Sequence, residues 1–333
     1  MTQDILPFTG ERFTPECLRE ISYEHWHRYA FALSMVAGKQ VLDAACGEGF
    51  GADMLASKAA NVVAIDIDES SIEHANKRYG SKDNLSFRKA DVTQLDALPD
   101  NSIDVIVSFE TLEHVVEHDR MLEGFRRILR DDGVLLISTP DKKNYTDATG
   151  TVNPHHVREL YYDQFADLLE RYFGAKKIYT QKLVFQSGLF ALDHVGPPEV
   201  LVQTQAGIAR AGYPPMYYLA VCAHAFETLA SLPGLSIFGD AEESVYAHYN
   251  QEVRFGMWAR QRIWELEAQV AELKRIHDQQ VEDQTVEDLQ IEDIQPQDGQ
   301  LEELQLEDEQ LMDMELVEVP LVDSQLDKQL SDE

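Results

Sequence analysis

Five short segments rich in Val, Ile and Leu alternate with amphipathic segments between residues 39 and 184, and no other feature constrains the fold as strongly. Apolar runs of this length are typical of strands buried on both faces of a parallel sheet. The predicted strands are residues 40–45, 61–66, 85–91, 103–109 and 133–139. The intervening segments, such as 70–79 and 120–129, have the spacing of helices with one apolar face. We therefore predict an α/β fold with a doubly wound, mostly parallel sheet and helices on both faces.

The chain beyond the fifth strand supplies the rest of the sheet. Residues 161–173 have the apolar spacing of a helix, and further strands are predicted at 175–185 and 216–224. They bring the predicted sheet to seven strands in a Rossmann-like arrangement, interrupted by an irregular insertion at about 186–215. The Asp-Asp-Gly sequence at 131–133 predicts a turn into the fifth strand.

Changes in composition divide the chain into four parts. Residues 1–38 form a predicted N-terminal lid, with a helix at 20–37 that caps the front of the sheet. Residues 39–250 hold the α/β domain. A helix is predicted at 251–280, and an acidic tail follows at 281–333.

The predicted C-terminal helix has an approximate apolar stripe. Trp264, Leu266, Val270 and Leu273 lie along it, broadly at three- and four-residue steps. Both a short coiled coil and a helix docked on the domain fit this pattern. We favour self-association of residues 251–279 into a homo-oligomer.

The acidic tail repeats with a period of five. An apolar residue occupies one phase of the repeat from Val281 to Leu326, and an acidic residue follows it in almost every repeat. Side chains that are five residues apart do not share one face of a helix, and they do not share one face of a strand. We therefore expect residues 281–333 to be disordered. An acidic segment that attracts a basic partner is the alternative.

Much of the net charge of −32 lies in this tail. The whole chain has 28 Lys and Arg against 60 Asp and Glu, and residues 281–333 hold 19 acidic residues against one Lys. A balance this acidic argues against nucleic acid as a partner, since binding to phosphates needs a basic surface.

Three widely spaced cysteines form neither a disulfide framework nor a metal motif, which predicts a reducing, cytoplasmic location. Neither a signal peptide nor a membrane span is predicted.

The segment VLDAACGEGFG at 41–51 is the most informative motif. Three glycines follow a predicted strand and open a helix: Gly47, Gly49 and Gly51. Glycines in this place let the backbone turn tightly and approach a ligand closely, although such a trio also suits a dinucleotide. Acidic residues at three strand ends argue against a dinucleotide as the ligand: Asp43, Asp66 and Asp91. Asp43 beside the loop would repel a pyrophosphate and attract an amino group.

This set resembles the class I S-adenosylmethionine-dependent methyltransferases over about residues 39–184. The resemblance implies that Asp43 and the glycine loop lie along the methionine part of S-adenosylmethionine. It implies that Asp66 accepts hydrogen bonds from the ribose hydroxyls and that Asp91 and its neighbour hold the adenine. The implied cofactor-binding residues are Asp43, Ala45, Gly47, Gly49, Asp66, Ile67, Asp91 and Val92. Many members of the family have glycine at the position of Ala45, where alanine is tolerated if its φ angle stays negative.

Two glutamates and a histidine follow the fourth predicted strand, in the sequence FETLEHV at 109–115. With a histidine after the fifth strand, this stretch is similar to the small-RNA 2′-O-methyltransferases, in which such a set binds a divalent metal that holds ribose hydroxyls. The resemblance implies four catalytic residues: Glu110, Glu113, His114 and His156. It implies that the same four residues bind Mg²⁺, Mn²⁺ or Zn²⁺. His155 is the adjacent substitute for His156.

Other interpretations of this motif remain open. A hydroxyl nucleophile needs either a base or a metal that lowers its pKa. His114 as a metal-free general base therefore competes with the metal site, and a purely structural role is the third interpretation.

The layout of residues 7–255 resembles a bacterial methyltransferase family associated with surface-polysaccharide clusters. The resemblance implies O-methylation of a sugar hydroxyl in a glycan or its precursor. Candidate lid residues for the acceptor or the cofactor carboxylate are Arg12, His25, His27, Arg28 and Tyr29. A small-molecule methyltransferase acting on a quinone or polyketide would share every motif. A non-catalytic adaptor built on the same fold is the remaining alternative.

Overall fold

The computed structural model describes residues 20–184, 200–204, 207–210, 212–241 and 243–291. The first part of the predicted lid, with Arg12, lies outside these ranges. So do much of the predicted insertion and the tail beyond residue 291.

A seven-stranded sheet forms the centre of the α/β domain. Its strands are β1 (Gln40–Ala44), β2 (Asn61–Asp66), β3 (Leu85–Lys89), β4 (Ile103–Ser108), β5 (Leu129–Pro140), β6 (Ala175–Gln181) and β9 (Tyr217–Ala223). Their order across the sheet is β3-β2-β1-β4-β5-β9-β6. Strands β1 to β5 are parallel, and β9 runs antiparallel between β5 and β6. The predicted α/β fold and its mostly parallel, seven-stranded sheet are confirmed.

Helices cover both faces of this sheet. The helices of the described chain are α1 (Glu20–Ala32), α2 (Phe50–Ala56), α3 (Glu69–Tyr79), α4 (His118–Ile128), α5 (Tyr162–Glu170) and α6 (Ser244–Ile291). One apolar core contains side chains of α1, α2 and α3, and a second contains side chains of α4 and α5. Neighbours in a strand point to opposite cores, as Val41 and Leu42 of β1 do, because strand side chains alternate.

The strand order creates a crevice between β1 and β4. From β1 the chain moves outward through β2 and β3, then returns to β4 on the other side of β1. Ligands of open α/β sheets bind at the carboxyl ends of the strands, beside such a reversal. The ends of β1, β2 and β4 therefore define where the functional site should lie.

Two predicted boundaries are wrong. Helix α1 ends at Ala32 instead of residue 37. At this end of the helix, the Ser34 hydroxyl donates a hydrogen bond to the carbonyl oxygen of Phe31. Residues 131–133 do not form a turn before β5, because the strand already begins at Leu129. The pairing of β5 with β4 shifts register here, and Gly133 lies so close to the Asp104 carbonyl that a Cβ would be 2.8 Å from it.

The insertion and the tail also contain more regular structure than predicted. Strands β7 (Leu201–Thr204) and β8 (Gly207–Arg210) form an antiparallel pair inside the insertion. Helix α6 begins before residue 251 and continues to Ile291. The expected disorder is therefore wrong for residues 281–291, which contain no Gly or Pro and extend an existing helix at low cost.

Contacts divide the chain into two compact units, Met1–Met257 and Trp258–Glu333. Every helix within the described ranges is too short or too polar to cross a lipid bilayer.

Candidate active site

A cavity of about 530 Å³ opens at the carboxyl ends of β1, β2 and β4. Eight residues predicted from the sequence line it: Ala45, Gly47, Asp66, Ile67, Asp91, Val92, Glu110 and His114. The other four predicted residues, Asp43, Gly49, Glu113 and His156, lie behind or beside this lining. The lid candidates His25 and Tyr29 also line the cavity.

The glycine loop is tied to the end of β2 through Asp66. The Gly47 backbone N–H donates a hydrogen bond of 2.8 Å to Asp66 Oδ2, and the Asp68 N–H donates one of 2.9 Å to Asp66 Oδ1. Each carboxylate oxygen has a second lone pair, so both can accept another hydrogen bond. Asp66 therefore fixes the loop and still presents acceptors to a ligand.

Three residues of the loop have positive φ angles: Ala45, Gly47 and Gly49. Ala45 has a φ of +63°, so the expectation of a negative φ at this position is wrong. An L-residue in this region is strained by about 1–2 kcal/mol, and its glycine counterpart would not be. Gly49 has a φ of +96°, and a Cβ there would lie 2.8 Å from the Phe87 ring and 2.9 Å from the Ala75 side chain. Gly49 thus serves the close packing of the loop on β3 and α3.

Asp43 lies fully buried behind the loop. The Tyr29 hydroxyl donates to its carboxylate, with oxygen distances of 3.2 and 3.4 Å. Burial raises the pKa of Asp43 to about 7; the Tyr29 hydrogen bond offsets part of this shift and the nearby Asp66 charge adds to it. Near neutral pH, Asp43 therefore exchanges between its charged and neutral forms.

The wall formed by the end of β3 combines a carboxylate with apolar surface. Asp91 Oδ1 accepts hydrogen bonds of 2.8 Å from both the backbone N–H and the hydroxyl of Thr93. Val92 is buried beside it, whereas Ile67 lines the cavity with 67% of its surface exposed. This wall suits a flat, partly apolar group that carries polar edges.

Glu110 is held away from the predicted metal ligands. Its backbone N–H donates to Ser138 Oγ at 3.0 Å, and that hydroxyl donates to Glu110 Oε1 at 2.6 Å. Arg28 Nη1 lies 3.6 Å from the same carboxylate oxygen. Glu110 also has a φ of +51°, which is strained for a non-glycine residue.

Arg28 is a buried cation beside this carboxylate. Its Nε donates to Gln181 Oε1 at 2.7 Å, and its guanidinium lies 4.6 Å from the centre of the Tyr217 ring. Its two terminal nitrogens have no hydrogen-bond partner among the described residues. The charge of Glu110 therefore compensates a cation that is only 1% exposed.

Three of the four predicted metal ligands converge. Single ligand atoms of Glu113, His114 and His156 all lie within 4.8 Å of one another. Glu110 lies outside this group, so the predicted four-residue set is reduced to three. The structure also does not use His155 as a substitute ligand, because its backbone carbonyl rather than its ring faces His114.

Glu113 is the buried member of this cluster. The Thr139 hydroxyl donates to its Oε2 at 3.2 Å. Burial, and secondly the charge of Glu110, raise the pKa of Glu113 well above its usual range. A nearby cation would act in the opposite direction, because it stabilises the charged carboxylate.

Both histidines have an oxygen acceptor at Nδ1. His114 Nδ1 lies 3.0 Å from the His155 carbonyl oxygen, and His156 Nδ1 lies 2.6 Å from Glu159 Oε1. A hydrogen on Nδ1 leaves the Nε2 lone pair as the basic or metal-binding site. Consistent with this tautomer, the Asn153 amide donates to His156 Nε2 at 3.0 Å. The two rings meet edge to face, with centroids 5.0 Å apart.

Backbone hydrogen bonds attach the segment after β5 to the motif after β4. The Val157 and Arg158 N–H groups donate to the Glu113 carbonyl oxygen at 2.8 and 3.0 Å. Because of this attachment, His156 lies beside two residues that are far from it in sequence.

The remaining lid candidates face a second, smaller cavity. His27 and Arg28 line a space of about 280 Å³ together with Gln181 and Ser236. His27 Nε2 lies 2.9 Å from the Ser236 hydroxyl. In the main cavity, burial and the charge of Arg28 lower the pKa of His25 well below its usual value, so this ring is neutral at pH 7.

Several residues that support the site were not predicted. They are Ser138 and Thr139 at the end of β5, and Asn153 and Glu159 around His156. Polar residues at the end of a buried strand, and the three-residue spacing of His156 and Glu159, were the signals available in the sequence.

Comparison with known proteins identifies the family. A family model described as a methyltransferase domain matches residues 42–137. The chain is 35% identical over 213 residues to a "Probable S-adenosylmethionine-dependent methyltransferase" of Mycolicibacterium smegmatis, covering 62% of this chain and 80% of that protein. A relative of the same description from Mycobacterium tuberculosis is 36% identical over 168 residues, covering 50% and 60%. A ubiquinone biosynthesis O-methyltransferase of Bradyrhizobium diazoefficiens is 27% identical over 142 residues, covering 42% and 55%. The chain is therefore an enzyme of the class I S-adenosylmethionine-dependent methyltransferases.

Proposed function

We propose that this enzyme methylates a sugar hydroxyl of a bacterial glycan or its precursor, and that a divalent metal ion assists the transfer. The observation that carries the metal-assisted transfer is the convergence of Glu113, His114 and His156 within 4.8 Å. The sugar acceptor rests on the resemblance of residues 7–255 to the methyltransferases of surface-polysaccharide clusters. A hydroxyl is a poor nucleophile near neutral pH unless a base or a metal acts on its proton. The cluster offers both, next to the cavity that His114 lines.

The cavity residues fit the methyl donor. S-adenosylmethionine supplies an activated methyl group when it is bound. Asp66 would accept hydrogen bonds from the ribose hydroxyls through the lone pairs that Gly47 and Asp68 leave available. Ile67 and Val92 would lie against the adenine, with Asp91 at its polar edge. These roles are the ones that the family resemblance implies, and the positions of the side chains around one cavity support them.

The cluster also fits a metal ion. A divalent metal would lower the pKa of a neighbouring hydroxyl through its positive charge. One carboxylate with two imidazoles suits Mn²⁺ or Zn²⁺ better than Mg²⁺, which prefers oxygen ligands. Metal-binding imidazoles are oriented by hydrogen bonds of this kind, from histidine Nδ1 to the His155 and Glu159 oxygens. At His156 the metal would replace the Asn153 amide, which donates to Nε2 in this structure.

A metal-free O-methyltransferase for a quinone or a similar small molecule is the second candidate. The relative from Bradyrhizobium diazoefficiens carries a name of this kind. In this case His114 would act as the general base, because its Nδ1 contact with the His155 carbonyl leaves Nε2 to accept the hydroxyl proton.

Chelation distinguishes the two mechanisms. Methyl transfer from labelled S-adenosylmethionine would be measured after exhaustive chelation and after separate addition of Mn²⁺, Zn²⁺ and Mg²⁺. We expect activity to be lost and then restored best by Mn²⁺ or Zn²⁺. Full activity in the presence of the chelator would exclude a metal requirement and favour His114 as the base.

The acceptor class needs a separate assay. Labelled methyl transfer would be compared between two panels, one of oligosaccharides with nucleotide- and lipid-linked sugars, the other of catechols and hydroquinones. The glycan proposal expects transfer only to the first panel. Transfer restricted to the second would overturn it and leave the methyltransferase assignment intact.

A further inference from the structure

Helix α6 carries an exposed apolar seam within the second unit of the chain. We define the seam as Ile263, Leu266, Val270 and Leu273, whose spacing of three, four and three residues is that of a heptad repeat. Trp264, which lies on the apolar stripe predicted from the sequence, does not fit this spacing and is replaced in the seam by Ile263. These four side chains are between 43% and 65% exposed. Removing them from water would stabilise whatever assembly covers them.

We propose that the seam is the interface of a parallel, two-stranded coiled coil between two copies of this chain. The residue types support two strands. The first core position of each heptad holds a β-branched residue, Ile263 or Val270, and the second holds Leu266 or Leu273. This combination favours parallel dimers, whereas other distributions of Ile and Leu favour three or four strands.

Charges beside the seam support the parallel orientation. Arg262 precedes the first core position, and Glu267 follows the second. In a parallel dimer these two flanking positions face each other across the interface, so Arg262 of each copy meets Glu267 of the other. An antiparallel dimer that pairs Ile263 with Leu273 would instead bring the two copies of Glu267 together. Like charges in that position oppose association.

Arg262 also makes an ion pair within its own helix, but this pair competes only weakly with the pairing to Glu267 of a second copy. Arg262 Nη1 lies 3.0 Å from Glu265 Oε2, and both side chains are 48% exposed. Exposed ion pairs between neighbouring turns contribute little, so Arg262 can redirect to a second helix at small cost.

The seam is short, which limits the affinity. The core positions before it hold Gly256 and Ala259, and those after it hold His277 and Gln280. Only the central two heptads therefore bury large apolar side chains. We expect a dimer that forms and dissociates with protein concentration.

Sedimentation of the full chain tests the association. The expected mass rises with concentration towards twice the 37.8 kDa of one chain. The double variant Leu266→Asp with Leu273→Asp should weaken association by roughly a hundredfold or more, since it places charges in the buried core. Trp264→Asp is the matched control, because this side chain is 79% exposed on α6 but outside the seam. A monomer at every concentration, or equal loss in the control, would overturn the proposal.

Cross-linking tests the orientation, in a chain in which Cys17 is replaced by Ser. Leu273→Cys should form a disulfide between copies, because equal core positions face each other only in a parallel dimer. Arg262→Glu should weaken association by roughly fivefold, and adding Glu267→Arg should restore it. Cross-linking only between Ile263→Cys and Leu273→Cys chains would show an antiparallel dimer and overturn the parallel one. A mass of three or more chains would overturn the two-stranded one.

Discussion

The two halves of the cavity are built in different ways. The proposed cofactor half, at the ends of β1, β2 and β3, is built around a short loop whose backbone is held by Asp66. The proposed acceptor half, after β4 and β5, is lined by Glu110 and His114. Side chains from distant segments hold these two residues: Arg28, Ser138 and the cluster around Glu113. A local motif therefore specifies the first half, whereas tertiary packing specifies the second. Substitutions in the two halves should accordingly separate cofactor binding from methyl transfer.

The largest expected effect lies in the acceptor half. Glu113→Gln removes the charge that would bind a metal while keeping the shape, so methyl transfer should fall by about 10²–10⁴-fold. Binding of S-adenosylmethionine, measured by calorimetry, should be unchanged. Glu123→Gln, an exposed carboxylate on α4, is the control. If Glu113→Gln lost cofactor binding to the same degree as methyl transfer, the two halves of the cavity would not have separate functions.

The pH dependence of stability should report on the cofactor half. Burial raises the pKa of Asp43 from 3.8 to about 7 in the folded chain, although the Tyr29 hydrogen bond acts against this shift. The folded state therefore binds this proton more tightly than the unfolded state. The contribution of Asp43 to the free energy of unfolding should therefore fall as pH rises from about 4 to 7. The slope is at most about 1.4 kcal/mol per pH unit.

Urea unfolding of the ligand-free protein across this pH range measures the effect. Asp43→Asn should remove this part of the slope, because the amide does not titrate. An identical slope in the variant would assign the pH dependence to other groups.

Asp66→Asn should weaken cofactor binding and leave the cluster around Glu113 intact. The loss of a charged acceptor for hydroxyl groups corresponds to about 10- to 100-fold in affinity. Calorimetry with S-adenosylmethionine gives the value, and the exposed Asp83→Asn serves as the comparison. An unchanged affinity of Asp66→Asn for S-adenosylmethionine would show that Asp66 does not bind the ribose.

Gly49→Ala tests the packing of the loop. The added Cβ would meet Phe87 at 2.8 Å in a backbone conformation with φ of +96°, so we expect a loss of about 1–3 kcal/mol in the free energy of unfolding. At Gly239 nothing lies within 4 Å of an added Cβ, and Gly239→Ala should be nearly neutral. Equal effects of the two substitutions would contradict the close approach of the loop to β3.

The smallest effect is expected at Ala45. Glycine relieves about 1–2 kcal/mol of left-handed strain and costs about 0.5–1 kcal/mol in chain entropy, so Ala45→Gly should stabilise by up to about 1.5 kcal/mol. Ala60→Gly, at an exposed loop residue outside the left-handed region, should be neutral or destabilising. A lower midpoint of thermal unfolding for Ala45→Gly would show that the strain is not released.

The same contrast explains which features the sequence predicted. Apolar runs located the buried strands, and strand ends then grouped Asp66, Asp91 and Glu110 around one cavity, because parallel strands end at one edge. The backbone angle of Ala45 was not predictable, since alanine has no preference for positive φ. The separation of Glu110 from Glu113 was also missed, because it depends on Ser138 and Arg28, which periodicity does not connect to them.

Helix α6 shows a related limit. The five-residue period of the tail argues against one apolar face, yet residues 281–291 belong to the helix. A helix that already exists can extend through residues that would not begin one alone.

The two backbone hydrogen bonds to the Glu113 carbonyl have a consequence for the energetics of the reaction. By joining Val157 and Arg158 to the motif after β4, they fix the distance between the two histidine-bearing segments when the chain folds. The conformational entropy of bringing these segments together is therefore lost during folding and not during substrate binding. A site preorganised in this way can use more of its binding energy to align the acceptor hydroxyl with the methyl group.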